Sequence, residues 1–191
     1  MKSLKKTIGF ALTGSFCTLD KAFEAMKALR EQYTLLPIVS ETVMNTDTRF
    51  FSKEAVRETL SDLCGRKPLC SIPEAEPIGP KKMLDLLVVC PCTGNTLSKI
   101  ACGITDSCVT MAVKSHRRNG RNVLIALSSN DALSGSAENL GRILNRKGFF
   151  FVPMHQDAPW EKPFSLQCDF SRLPDAVEAA LANKQTQPLF F

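Results

Sequence analysis

Four apolar segments of this chain each end in small polar side chains, and these endings are the residues best suited to bind a ligand. Each ending combines hydroxyl or amide groups with a turn that leaves backbone N–H groups free to donate. Such donors, without concentrated positive charge, suit a phosphorylated and largely neutral ligand such as a mononucleotide flavin. The alternative is that these residues only form the turns themselves. The four endings are Thr13 to Ser15, Ser40 to Thr42, Pro91 to Thr96, and Ser128 to Asp131.

The third of these endings follows the clearest strand signal in the chain. Leu84 to Cys90 is a near-continuous apolar run, which is typical of a strand buried on both faces of a parallel sheet. We predict that Pro91 ends this strand and that Asn95 or Thr96 caps the helix that follows. Polar side chains then lie at the carboxyl end of a central strand, where open α/β sheets bind their ligands.

Strand and helix patterns alternate along the rest of the chain. This alternation predicts a Rossmann-like three-layer α/β domain with a mostly parallel central sheet. We expect a single domain over residues 1–191, with its core at about 6–153 and a C-terminal loop, helix and tail at 154–191. The polar segment 42–51 is expected to form an irregular loop or lid. The predicted strands are 7–13, 35–40, 84–90, 122–128 and 149–153, with a short one near 69–72, and the predicted helices are 18–33, 52–64, 96–118 (a break near 103–107 is left open), 135–147 and 171–183.

Composition and charge restrict the class of protein. A hydrophobic content of 44% with 23% charged residues is ordinary for a globular chain. No apolar run approaches the roughly 20 residues that span a bilayer, so we expect a soluble intracellular protein. The net charge of +5 is dispersed apart from Arg117, Arg118 and Arg121, which we place at a helix end, where cations complement the helix dipole. No basic stripe with interleaved aromatics indicates nucleic-acid binding.

The eight cysteines do not form a metal-binding pattern. None of them makes a CxxC pair, and the two histidines, His116 and His155, have no flanking ligands. A free cysteine behaves as a small hydrophobic residue. We therefore predict thiols in a reducing compartment and no metal site, with metal binding as the alternative.

Two of the polar endings carry a family pattern. The segment from Pro91 to Thr96 resembles the Pro-Ala-Ser-Ala-Asn-Thr segment of the flavoprotein family, which includes flavin-dependent decarboxylases, and Ser129 to Leu133 stands where that family has Met-Asn-x-x-Met. After the first segment, Lys99, Ile100, Ala101, Gly103 and Asp106 keep the family spacing. Segments over nearly the whole chain resemble one branch of the family: TIGFALTGS, PIVSETVMNTDTRF, EAEPIGP, SSNDAL, FVPMHQDAPWEKPFS and KQTQP.

The resemblance implies a fold, a cofactor and a partner. Family members assemble as trimers or larger and bind FMN between subunits. Members of this branch act with a separate companion, the A subunit, which binds NAD(P), to oxidise dihydrodipicolinate to dipicolinate during spore formation in the mother-cell cytoplasm. The residues implied to face the cofactor or substrate are Thr13, Gly14, Ser15, Ser40, Thr42, Pro91, Thr93, Asn95, Thr96 and Asn130.

The implied reaction restricts the catalytic candidates. Aromatising a dihydropyridine ring removes a hydride and a proton, so it needs a hydride acceptor and a base. Asp131, Asp106 and Glu41 are the candidates for the base. Arg49 is a candidate clamp for a substrate carboxylate, because a guanidinium can bind one with two hydrogen bonds. The alternative is that Arg49 is a solvated loop residue.

The chain departs from the family in two places, which keeps other functions open. The flavin-dependent cysteine decarboxylases use a histidine shortly after the second strand, and residues 41–60 contain none. Ser129 and Leu133 replace both methionines of the family's second segment. One alternative is a flavin-dependent decarboxylase or prenyltransferase of the wider family. Another is a protein that has lost FMN and only stabilises its companion.

Overall fold

A seven-stranded sheet forms the centre of the protein in a computed structural model, which describes residues 5–191. The strands are Thr7–Leu12 (β1), Thr34–Val39 (β2), Leu86–Cys92 (β3), Val123–Ser129 (β4), Phe149–Phe151 (β5), Met154–His155 (β6) and Leu166–Cys168 (β7). β2, β1, β3, β4 and β5 lie side by side in that order and are all parallel. β7 pairs antiparallel with the end of β4 and with β6.

Helices cover both faces of this sheet. The helices are Leu19–Arg30 (α1), Glu41–Asn45 (α2), Lys53–Cys64 (α3), Ile72–Ala75 (α4), Gly94–Cys102 (α5), Cys108–Arg117 (α6), Ala137–Leu144 (α7) and Leu173–Leu181 (α8). One apolar cluster packs α1, α3 and α8 against one face, and a second packs α4, α5, α6 and α7 against the other. The predicted three-layer, mostly parallel α/β fold is therefore confirmed.

The apolar run of β3 is explained by this arrangement. Leu86, Val88 and Cys90 belong to one apolar cluster, while Leu87 and Val89 belong to the other. Because side chains alternate along a strand, a strand covered on both faces needs apolar residues at every position. All residues of β3 are buried.

The prediction that Pro91 ends the strand was wrong. β3 continues to Cys92, the peptide bond before Pro91 is cis, and the pairing with β4 shifts in register between Val89 and Cys92. Proline has no N–H to donate to the ladder, and the register shift allows the strand to continue beyond Pro91. The predicted helix 96–118 is two helices, because Gly103 ends α5 in the left-handed region at φ 73° and Ser107 caps α6.

Three further stretches differ from their predictions. The segment 42–51 is not wholly irregular, because Ser40 caps the short helix α2. The strand expected near 69–72 is reduced to one bridge between Leu69 and Ile38. The loop expected at 154–170 contains β6 and β7, whose two or three residues each are too short to give a periodic signal. Among the described residues, no helix is long and apolar enough to cross a membrane.

Arg117 lies in the last turn of α6, at the helix end where the sequence places it. Its guanidinium donates hydrogen bonds to the carbonyls of Arg121 at 2.6 Å and Lys147 at 2.8 Å, and it stacks on Phe149. These contacts join the end of α6 to the segments that enter β4 and β5.

His116 on α6 is a buried titratable group within this framework. It is 1% exposed, and its Nε2–H donates to the carbonyl of Asn122 at 2.9 Å. Burial lowers the pKa of His116 to about 4, although the bond to Asn122 opposes the shift, and the nearby Arg121 and Arg117 add to it. The folded protein therefore holds this imidazole neutral.

We expect the free energy of unfolding to fall as the pH drops from about 6.5 to about 4, because the unfolded chain binds a proton that folded His116 excludes. A pKa lowered on folding stabilises a protein above the unfolded value, and this contribution is lost on acidification. The loss between pH 7 and 4.5, measured by urea unfolding, should be about 2 to 3 kcal/mol smaller in His116→Gln. An equal loss in both proteins would contradict the assignment.

Candidate functional site

A cleft of about 590 Å³ lies at the carboxyl ends of β1, β3 and β4. The parallel strands bring three of the four predicted polar endings together here. Its lining includes the following residues that the sequence singled out: Gly14 and Ser15 after β1, Thr93 and Asn95 after β3, Asn130 and Asp131 after β4, and Arg49 from the loop after α2.

Thr13 supports the cleft from behind. It is 1% exposed, and its hydroxyl donates to the carbonyl of Pro91 at 2.7 Å and accepts from the N–H of Thr93 at 3.0 Å. Thr13 and Pro91 are both buried and do not line the cleft, contrary to the expectation that they face the ligand. Their role in this structure is to hold the ends of β1 and β3 together.

Ser15 joins the turn after β1 to β4. Its hydroxyl lies 3.1 Å from that of Ser128, and it accepts a hydrogen bond from Thr18 at 3.1 Å. Ser128 also lines the cleft. It was predicted to start the fourth polar ending but was not named as a ligand-facing residue. These bonds fix the turn that carries Gly14 and Ser15.

The start of α5 provides free backbone donors. Thr93 caps the helix, because its hydroxyl oxygen accepts from the N–H of Thr96 at 3.2 Å. The predicted caps, Asn95 and Thr96, were therefore wrong, and Thr96 is 8% exposed and faces Thr93 instead of the cleft. Within residues 5–191, nothing accepts from the N–H groups of Gly94 and Asn95. These two N–H groups, at the positive end of the helix dipole, suit an anionic group.

Gly94 lies against a polar cluster at the end of β4. One oxygen of Asp131 accepts from the hydroxyl of Ser129, and the other accepts from Ser136 at 3.0 Å. A Cβ on Gly94 would lie 2.6 Å from an oxygen of each of these three side chains. Asp131 therefore lines the cleft in a fixed orientation, and only glycine fits beside it at this position.

Charged side chains outside the predicted set also reach the cleft. Lys162 and Asp157 line it and form an ion pair at 2.8 Å. Although burial raises the pKa of the Asp157 carboxyl, hydrogen bonds from Lys162 and Ser165 outweigh this effect and lower it. Both residues lie between β6 and β7, so only the three-dimensional pairing of these short strands brings them to the site.

Four other predicted residues lie elsewhere. Ser40 caps α2 by accepting from the N–H of Val43, and neither it nor Thr42 lines the cleft. Glu41 accepts from the N–H of Cys108 at 3.0 Å, and Asp106 pairs with Lys99 at 2.9 Å. Because their polar groups are engaged away from the cleft, Glu41 and Asp106 are not supported as bases. The sequence also missed aromatic and polar lining residues that the fold adds: Phe16, Cys17, Phe50, Ser165 and Gln167.

The residues present fit a flavin mononucleotide. The cleft volume lies within the roughly 300 to 1,000 Å³ of small-molecule sites. Free N–H groups and serine hydroxyls suit its phosphate and ribityl groups, and Phe16 and Phe50 supply apolar walls for its ring. In the described part of the chain, no group of three or more His, Cys, Asp or Glu side chains is arranged to hold a metal ion.

The fold and cleft define a Rossmann-like α/β protein with a polar cleft at the carboxyl edge of its sheet. Residues 1–179 match the model of the Flavoprotein family, and the chain belongs to that family. The B subunit of dipicolinate synthase from Bacillus subtilis (strain 168) is 43% identical over 99% of this chain and 96% of that protein.

Solved structures show the same fold. The B subunit of dipicolinate synthase from Bacillus halodurans C aligns with a TM-score of 0.90 at 39% identity, over all of this chain and 98% of that one. A dodecameric FMN-dependent Ubix-like decarboxylase from Escherichia coli O157:H7 aligns with a TM-score of 0.60 at 22% identity, over 77% of this chain and 79% of that one. The second likeness concerns the fold alone.

We expect Gly94→Ala to destabilise the protein by about 1 to 3 kcal/mol, because the added methyl group overlaps the Asp131 cluster. The matched control is Gly141→Ala on α7, where a Cβ would meet nothing within 4 Å. This change should stabilise the protein by about 0.5 to 1 kcal/mol through helix propensity. Urea unfolding of both variants measures the difference, and equal effects would contradict the packing described here.

Proposed function

We propose that this chain is the FMN-binding component of a two-component oxidoreductase that converts dihydrodipicolinate to dipicolinate. The observation that carries the proposal is the cleft, which joins free N–H and hydroxyl donors to the guanidinium of Arg49 at one sheet edge. The likeness to the B subunit of the Bacillus subtilis synthase, over nearly the full length of both chains, supports it. We further propose that the partner is an A subunit that binds NAD(P).

Different residues of the cleft would bind the cofactor and the substrate. The N–H groups of Gly94 and Asn95 and the hydroxyl of Ser15 would hold the cofactor's polar groups, and Arg49 would bind a substrate carboxylate. Asp131 is the predicted base that lies in the cleft, and its orientation is fixed by Ser129 and Ser136.

The reaction fixes what each group must do. Oxidation breaks one C–H bond with loss of a hydride and releases one proton as the ring becomes aromatic. When bound, FMN supplies a two-electron acceptor, with the nicotinamide on the companion protein as the final one. Asp131 would take the proton on a carboxylate oxygen, which keeps a lone pair beside its serine hydrogen bond.

Assembly and location are also part of this proposal. The chain would form a homo-oligomer, as the resemblance to the Flavoprotein family, to which it belongs, implies. The chain would act in the cytoplasm of the mother cell during sporulation, as the resemblance to this branch of the family implies.

A second candidate is a protein without cofactor that stabilises its companion A subunit. It is favoured by Ser129 and Leu133, which stand at the family's methionine positions. Ser129 is engaged with Asp131, and Leu133 is 42% exposed.

The purified chain, incubated with FMN and desalted, should retain a flavin absorption band. Ser15→Ala removes a hydroxyl, and Asn95→Ala removes a side-chain amide from the cleft lining while keeping the backbone N–H. Each variant should weaken FMN binding by about 3- to 30-fold, as expected for one lost hydrogen bond. The matched controls are Ser61→Ala and Asn145→Ala, at exposed positions in α3 and next to α7 that do not line the cleft. A wild-type chain that never takes up FMN would overturn the cofactor assignment and favour the second candidate.

Reconstitution with the companion A subunit, NAD(P)⁺ and dihydrodipicolinate tests the whole reaction. Arg49→Ala should raise the KM for dihydrodipicolinate by about 10-fold or more, because it removes a charged hydrogen-bonding partner. Arg142→Ala, which removes an exposed arginine paired with Glu138 on α7, is the control and should leave KM unchanged. If Arg49→Ala also leaves KM unchanged, Arg49 is not the clamp.

A further inference from the structure

We infer that Lys162 is a second carboxylate anchor in the cleft, and that together with Arg49 it selects ligands that carry two carboxylates. This inference rests on the proposed function, since it concerns the substrate of the same site. The Lys162–Asp157 pair would thus take part in substrate recognition, and Asp157 would be the counterion of Lys162 while no substrate is bound.

The charges that line the cleft support this assignment. Within the described part of the chain, Arg49 and Lys162 are the only cations that line it, and Asp131 and Asp157 are the only carboxylates. The two cations come from different segments, one after α2 and the other between β6 and β7. A dicarboxylate matches two cations on separate supports better than a single anionic group does.

The backbone around Lys162 is fixed by hydrogen bonds. The N–H of Lys162 donates to the carbonyl of Ala158 at 2.7 Å, and its own carbonyl accepts from the N–H of Ser165 at 3.0 Å. The side chain of Gln156 donates to the carbonyl of Pro163 at 2.8 Å. A turn held in this way presents the lysine side chain at a defined place in the cleft wall.

The turn is also tied to the loop after β4. The N–H of Leu133 donates to the carbonyl of Phe164 at 2.9 Å. This hydrogen bond joins the turn that carries Lys162 to the loop that carries Asn130 and Asp131.

The ammonium group itself remains available to a ligand. The side chain of Lys162 is 56% exposed, whereas that of Asp157 is 21% exposed. A lysine ammonium has three N–H donors, so one can stay on Asp157 while another binds a ligand carboxylate. Asp157 repels the same carboxylate, because like charges disfavour each other at short range.

Lys162 and Asp157 should therefore have opposite effects on the affinity for a dicarboxylate. Removing Lys162 takes away an attractive partner of the ligand, whereas neutralising Asp157 takes away a repulsive one. If the pair only held the turn together, both changes would weaken the site in the same direction. The sign of the Asp157 effect therefore separates recognition from a structural role.

Titration calorimetry in metal-free buffer, on the chain with FMN and on the chain without it, tests the inference, with pyridine-2,6-dicarboxylate and pyridine-2-carboxylate as probes. We expect the wild type to prefer the dicarboxylate by about 10-fold or more. Lys162→Met should lower dicarboxylate affinity by about 10- to 100-fold and change monocarboxylate affinity by less than about 2-fold. Asp157→Asn should tighten dicarboxylate binding. Lys27→Met, which removes the lysine of an exposed ion pair with Glu24, should change neither.

Several outcomes would overturn the inference. One is a Lys162→Met variant that keeps the wild-type preference for the dicarboxylate. If that variant binds only FMN more weakly, Lys162 serves the cofactor phosphate, and the inference is overturned as well. Another is weaker dicarboxylate binding in Asp157→Asn. If the wild-type chain binds neither probe while the reconstituted enzyme is active, the anchor is wrong and the proposed function stands. An inactive wild-type reconstitution overturns the proposed function instead, and the probe titrations still decide whether Lys162 selects dicarboxylates.

Discussion

The hydrogen bonds of one buried hydroxyl, that of Thr13, set the geometry on which the cleft depends. The ladder between β1 and β3 runs only as far as Ala11 and Val89, and beyond it the carbonyl of Pro91 and the N–H of Thr93 need other partners. Thr13 supplies both at once, as donor to one and acceptor from the other. A buried polar group left unpaired would cost about 1 to 3 kcal/mol, so this bridge stabilises the strand ends in one arrangement.

The position of α5 follows from that bridge. The backbone of Thr93 is held by Thr13, and its side chain caps the helix, so the first turn of α5 is fixed relative to β1. The absence of a side chain at Gly94 then allows the helix start to approach the Asp131 cluster at the end of β4. The ends of β1 and β3 are thereby joined by hydrogen bonds, the start of α5 lies close to the end of β4, and Gly94 and Asn95 line the cleft.

The sequence predicts the parallel core well because burial on both faces leaves a strong signal. The apolar run in β3 and the helical spacing around it could be recognised without knowledge of the contacts, and parallel strands must bring their carboxyl ends to one edge. Local signals failed where a tertiary contact overrides them. Pro91 was predicted to end the strand, but its missing N–H is accommodated by a register shift. The expectation for Ser40 failed for another reason: the family resemblance implied that Ser40 faces a ligand, but its hydroxyl makes a local contact with the N–H of Val43 and caps α2.

The charged part of the cleft could not be predicted for a different physical reason. Lys162 and Asp157 reach the cleft because β6 and β7 pair antiparallel at the end of β4, and strands of two or three residues owe their existence to that pairing and not to any periodic pattern. The parallel core supplies the donors that suit a phosphorylated cofactor, while the loop after α2 and the antiparallel addition supply the cations. Because the core hydrogen bonds do not involve those cations, the ligand that the cleft selects can change without altering the interactions that hold the sheet and α5 in place.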